Sequence, residues 1–220
     1  GTFRHRHYFE AANMLLSGWR LTRRKGLAEF VREALPSLVA RDPRIVLVVI
    51  GGEPGLALAG NRGGGADSIR QSAREVGLEA HVRLLGHVTD MEVAEAYADG
   101  DVHVFPGIEI PGDVEGFGLV ALDAAAAGIP TVAFRVGGVP DAVREGVSGA
   151  LLSAGDYVGL VAAIDRFLLA PWAESERRAC IEHAATFSWS VVGRRVSEVV
   201  ASLADKPSNG NAKGAAHGGQ

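Results

Sequence analysis

Positive charge is in short supply in this sequence. Its 220 residues carry 22 lysines and arginines against 26 aspartates and glutamates, a formal net charge of −4, with a pI near 6.0. A general nucleic-acid binder would show a basic excess. Nucleic acid is therefore not the expected partner, and any anion site has to be local. Cysteine is nearly absent: Cys180 stands alone, which excludes an internal disulfide framework and fits a reducing setting. Long apolar runs are missing as well. The longest, at 45–50 and 118–127, fall far short of the roughly 20 residues needed to cross a bilayer. The first residues, GTFRHRHYFE, lack the apolar core of a secretory signal. A cytoplasmic or membrane-peripheral location is expected.

What is present is enough apolar material for a packed core, 47% of the chain. Short β-rich runs, NMLLSG, IVLVVI, VRLLG, VHVFP, PTVAF and GALLS, alternate with helical patterns such as LAEFVREALPSLVA, SIRQSAREVG and EVAEAYADG. Strands separated by helix-length segments predict βαβ units and a doubly wound, Rossmann-like parallel sheet of the α/β class. The sheet should run from about residue 13 to 153. Helical patterns at 156–170, 171–185 and 189–204 should follow as C-terminal helices packed on it, giving one domain over 13–204. Residues 1–12 fit no element. GNRGGGAD is expected to be a flexible loop, and 205–220, rich in Gly, Ala, Asn and Lys without periodicity, a disordered tail.

In such a sheet ligands bind beyond the carboxyl ends of the strands, and two segments carry suitable chemistry there. LLSGWRLTRRKG holds four cations within six residues, between the end of a strand at Gly18 and a helix beginning near Lys25 or Gly26. Cations at a helix amino end oppose the macrodipole unless an anion lies between them. Arg20 could clamp a phosphate through two hydrogen bonds while Lys25 supplies a point charge; the alternative is a solvated basic loop. The second segment, EGFG at 115–118, leads into the apolar run GLVALDAAAA. Its glycines allow close backbone approach, and the first N–H groups of the helix are free to donate; a simple tight turn is the alternative. Asp123 is the one polar side chain in that run. A helix apolar on every side is expected inside a domain, where a carboxylate needs partners. Glu115 and Asp123 would lie on the order of 10 Å apart, too far for the paired carboxyls of a retaining glycosidase, so they would grip different parts of one elongated ligand.

Taken in order and spacing, LSGWRLTRRKG, VRLLGHV, EGFGLVALDAAAAGIPTVAF and VGGVPDAVREGVSGALL resemble the C-terminal half of the glycosyltransferase group 1 proteins (family 4). These are retaining enzymes of the GT-B fold that use nucleotide-sugar donors. The resemblance covers about 14–169. It implies that Arg20 and Lys25 bind the donor diphosphate and that the E-x7-E motif falls on Glu115, toward the donor sugar, and Asp123, toward the ribose hydroxyls. It also implies that the backbone of Gly116, Phe117, Gly118 and Leu119 approaches sugar and phosphates, that Gly18 closes the first strand beside the donor, and that Val82 and Arg83 lie near the base. The second acid departs from the family pattern, being Asp in place of Glu and one methylene shorter.

The implied activity is hexosyl transfer from a UDP-, GDP- or ADP-sugar to an undefined acceptor such as a lipid-linked sugar or a polysaccharide. No metal or other cofactor is implied. Nothing in the sequence answers to an acceptor-binding N-terminal GT-B domain, which would be supplied elsewhere. Competing readings are a non-catalytic nucleotide-sugar-binding or interaction module and another GT-B activity, such as a sugar-nucleotide epimerase or a phosphorylase. Asp99-Gly-Asp101 has the D-x-D spacing of metal-dependent transferases but precedes a strand, and His81, His87 and His103 are too scattered to suggest zinc.

Overall fold

The computed structural model describes residues 1–18, 20–52 and 65–204. In chain order the elements are α1 (Thr2–His7), β1 (Asn13–Gly18), a 3-10 turn (Arg23–Lys25), α2 (Leu27–Glu33), α3 (Leu35–Arg41), β2 (Ile45–Ile50), α4 (Ala66–Glu75), β3 (Val82–Gly86), α5 (Asp90–Asp99), β4 (Val102–Phe105) and α6 (Leu119–Ala126). There follow β5 (Thr131–Phe134), α7 (Val139–Ala142), β6 (Gly149–Leu152), α8 (Tyr157–Leu169), α9 (Glu174–Ala185) and α10 (Trp189–Ala204). Each expected strand is present. The expected tail at 205–220 and most of the GNRGGGAD segment lie outside the described residues.

The strands form one sheet in the order β3-β2-β1-β4-β5-β6, with every pairing parallel. Side chains alternate across a strand, and both faces here are covered. Leu15, Leu47 and Val104 join one core layer with Phe30, Leu38 and Ile164. Met14, Leu16 and Val48 join the other with Phe3, Tyr97 and Ala124. Burial on both faces is why IVLVVI reads as an unbroken run of branched residues. The strand order reverses between β1 and β4, which opens a crevice at their carboxyl ends.

Two segments differ from the sequence expectation. Residues 2–7, unassigned above, form α1, whose Phe3 is fully buried with ring centroids 4.4 Å from His7 and 6.3 Å from Phe9. Its neighbour Arg4 donates from Nε to the Asp99 carbonyl (2.8 Å) and forms an ion pair with Asp101 (2.6 Å). A single buried residue gives no periodicity to read; tertiary contacts hold this helix. The pattern at 27–40 is two helices broken at Ala34. Pro36, in the first turn of α3, has no N–H to continue the ladder and its ring crowds the preceding turn.

At the carboxyl side, Asp156 caps α8 by accepting from the Gly159 N–H at 2.8 Å. The same helix buries Leu160, Val161, Ile164 and Phe167 along one face. Cys180 of α9 is fully buried, with Sγ 3.8 Å from the Ile129 carbonyl oxygen, and burial pushes its thiol up to about 12. The chain divides into a compact unit through Ala185 and a second unit from Thr186. In the second, α10 carries Val192, Val196, Val199 and Leu203 at helical spacing. No described helix is long and apolar enough to cross a membrane.

Because Phe3 anchors α1 in a filled layer, Phe3→Ala should lower unfolding stability by about 3 to 5 kcal/mol. Urea unfolding followed by circular dichroism measures this; an unchanged midpoint would mean that α1 contributes nothing to the core.

Candidate functional site

The crevice is built by two connections that leave β1 and β4. The first turns at Gly26, which closes the 3-10 turn at φ +65°. A Cβ there would run into the Pro106 carbonyl oxygen, so only glycine lets the two connections touch. The Ile108 N–H donates to the Arg24 carbonyl at 2.9 Å, completing the seam. The second connection, which carries EGFG, is held from behind by Gly137 and Gly138. The Gly138 N–H donates to the Glu115 carbonyl at 2.8 Å, and side chains at these glycines would strike the Glu115 and Gly116 carbonyls.

Between the connections lies a cavity of about 580 Å³ lined by Arg20, Arg24, Lys25, Glu115, Gly116, Phe117, Gly118, Leu119 and Asp123, together with Val114 and Val120. Eight of the residues singled out from sequence therefore share one wall or another of it. Gly18 does not line this cavity; it ends β1 pressed against the Ile50 carbonyl. Val82 and Arg83 are not brought there either. They open β3, in register with Leu47 and Val48, and Val82 faces a separate hollow with Arg70, Arg74, Glu79 and Leu84. Strands are parallel and the crevice is at their carboxyl ends, so the start of β3 is about 13 Å short of its rim. The rim itself is made by Gly51, whose N–H donates to the Gly86 carbonyl (2.7 Å), and Gly52, whose carbonyl accepts from the Leu21 N–H (3.0 Å). The His87 ring lies against Gly52. Reading the last residues of VRLLGH instead of the first would have found this rim. Four cations in one short run cannot be ranked by spacing, so the sequence does not single out Arg24.

The cleft is densely charged. Lys25 is buried, 8% exposed, with Nζ 3.1 Å from Glu115 Oε2 and 4.2 Å from the centroid of the Phe105 ring. Burial holds its ammonium below the ordinary lysine value, and Glu115 opposes that shift only in part. Arg24 reaches the same Oε2 through Nε at 3.2 Å and Asp113 through a terminal nitrogen at 3.0 Å. Burial pushes the Glu115 carboxyl up, but Lys25 and Arg24 together outweigh it and leave it below the usual carboxylate range. Arg20 is exposed and has no ion-pair partner among the described residues. The amino end of α6 faces this group; the Ala121 N–H is bonded to the Gly118 carbonyl (2.9 Å), while helix geometry provides no partner within the helix for the N–H groups of Leu119 and Val120.

Asp123 corrects one expectation. α6 buries Val120, Ala121, Ala124 and Ala125, but Leu119 (61%), Asp123 and Ala126 are exposed. Four consecutive alanines make a run look buried when they report helix propensity. Asp123 thus faces the cavity and is reached by solvent, and its carboxylate has no hydrogen-bonding partner among the described residues. Enough protein surrounds it that desolvation raises its carboxyl above the ordinary value.

His103 is fully buried in β4, with Nδ1 3.1 Å from Thr131 Oγ1. Burial first, and Lys25 second, lower its imidazole to about 3, so it stays neutral. His81 Nδ1 lies 2.8 Å from the Ile45 carbonyl oxygen. Asp101 accepts from the Met14 N–H at 2.6 Å and from Arg4, bracing the amino ends of β1 and β4 on the side of the sheet opposite the cavity. Among the described residues no group of three or more His, Cys, Asp or Glu gathers to hold a metal.

Comparison with known proteins agrees with this geometry. Residues 3–187 match the family described as glycosyl transferases group 1. The D-inositol 3-phosphate glycosyltransferase of Mycobacterium marinum is 40% identical over 154 residues, 69% of this chain and 31% of that protein. Sucrose-phosphate synthase from Thermosynechococcus elongatus superposes with a TM-score of 0.69 at 28% identity, covering 91% of this chain and 48% of that one. The Anabaena protein HepE, solved with UDP-glucose, gives a TM-score of 0.68 at 22% identity over 92% of this chain and 52% of that one, a likeness of fold. The chain thus spans about a third of the length of the matched relative and about half of these solved chains. Its sheet is one Rossmann-like half of a GT-B fold, and the chain belongs to the glycosyl transferases group 1 family.

Proposed function

We propose that this chain is the donor-binding half of a retaining glycosyltransferase that moves a sugar from a UDP-, GDP- or ADP-type donor to an acceptor. The observation that carries the reading is the meeting of Arg20 and Lys25 with Glu115, Asp123 and the amino end of α6 around one cavity. In this reading the donor diphosphate lies against the two cations and the N–H groups of Leu119 and Val120 at the amino end of α6. Charge that develops on the departing diphosphate is then stabilised by groups already in place, in a partly dry site where such stabilisation is strongest. Glu115 orients the sugar and Asp123 receives the ribose hydroxyls through its two oxygens. Positioning and electrostatics supply the protein's contribution, and no metal is needed. The UDP-glucose complex of HepE supports a nucleotide-sugar donor. The name of the M. marinum relative belongs to that protein; acceptor recognition here is assigned to the other half of a GT-B enzyme.

The chain should bind a nucleoside diphosphate in the presence of EDTA. Arg20→Ala and Lys25→Ala should each weaken that binding by about 1.5 to 3 kcal/mol, the range for a hydrogen bond to a charged group, and leave nucleoside binding unchanged. Isothermal titration with UDP, GDP and ADP in turn checks this. Binding that appears only with magnesium would show that the cations were misassigned.

Ribose recognition is separately testable. A 2′-deoxy or 3′-deoxy nucleotide leaves part of the Asp123 acceptor unpaired and should bind more weakly than the ribonucleotide by about 1 to 3 kcal/mol. Asp123→Asn should largely erase that difference. Equal affinity of the wild type for both nucleotides would remove Asp123 from the site.

A further inference from the structure

We propose that Glu115 is the resident anion of this cleft, seated on Lys25 and Arg24 until a diphosphate takes its place, and that the exchange favours an intact nucleotide sugar over the free nucleoside diphosphate. This rests on the donor-binding reading above. One oxygen, Oε2, lies 3.1 Å from Lys25 Nζ and 3.2 Å from Arg24 Nε. The three side chains are 10%, 13% and 15% exposed for Lys25, Arg24 and Glu115. The lysine assigned to the ligand is therefore already neutralised by the protein. A diphosphate drawn to Lys25 would be set beside the Glu115 carboxylate, where like charges in a half-buried site repel strongly. The carboxylate has to give way.

The surroundings determine how it does so. Its backbone is held by the Gly138 N–H at 2.8 Å and by the glycine pair behind it, so the side chain moves while the loop stays. Arg24 keeps a carboxylate of its own, Asp113 at 3.0 Å, so the seam between the two connections survives. Lys25 and Arg20, which has no ion-pair partner among the described residues, are then left for the phosphates. The displaced carboxylate is left in the cavity, and a partly dehydrated carboxylate needs new donors. A nucleotide sugar brings hydroxyls to that place. A free nucleoside diphosphate brings only further negative charge.

The test is calorimetric titration of the full chain and of its Glu115→Gln variant with inorganic pyrophosphate, UDP and UDP-glucose, thermal melting confirming that both are folded. Glu115→Gln should bind pyrophosphate and UDP roughly two- to fivefold more tightly than the wild type, the size of effect expected from a single ion pair of modest strength. UDP-glucose should gain less, so its advantage over UDP shrinks. Glu115→Ala serves as the second variant and should change pyrophosphate affinity in the same direction. Pyrophosphate affinity equal to or below that of the wild type in a folded variant overturns the inference, even where UDP still binds. If neither wild type nor variant binds any of the three probes, the donor-binding reading falls and takes this inference with it.

Discussion

The parallel pairing of β1 with β4 is the constraint on which the molecule depends. Leu15 and Leu16 register with Val102 and His103, and at this seam the sheet changes the direction in which it grows. Adjacent strands whose connections leave toward opposite sides must open a gap at their carboxyl ends. Among the described residues, the charged groups that line the cleft come from the two connections flanking that gap. The opposite end of the same seam is closed by Arg4 and Asp101, so the two strands are tied at one end and parted at the other.

Within the gap, electrostatics and packing are inseparable. Lys25 lies over the Phe105 ring, whose face attracts a cation, and the same aromatic residue ends β4 in the core. A lysine so buried would tend to lose its proton; the carboxylate of Glu115 opposes that tendency. His103, neutral and beneath the same region, adds no competing charge. The cleft is a place where burial weakens water's screening and makes each fixed charge count for more than it would on an open surface.

Much of this was legible in the amino-acid order. Strands covered on both faces are nearly continuous in apolar residues, so IVLVVI and, His103 apart, VHVF identify themselves, and Asp156 before a periodic run marks the start of α8. The cations and EGFG were legible as cleft residues because parallel topology sends strand-to-helix connections to one side. Other features were hidden for physical reasons. α1 has one core residue, too few to show a period. Asp123 sits among alanines that are apolar in composition but partly exposed in place. Val82 and Arg83 share a strand with the rim yet lie at its far end, a distinction of direction along the chain that residue type does not encode. The partnership of Arg24 with Asp113 and Glu115 joins residues about ninety positions apart, which no local pattern can report.

The burial of Cys180 has a practical consequence. Its thiol is sealed against the Ile129 carbonyl and held protonated far above neutral pH, and it is the single cysteine of the sequence. The thiolate is the reactive form of a cysteine, so the native protein is expected to react slowly with maleimides and similar reagents. A cysteine placed at an exposed cleft position such as Leu119 would be the one reactive sulfur in the molecule, and a fluorophore or spin label could report on the mouth of the cavity without first removing a native residue.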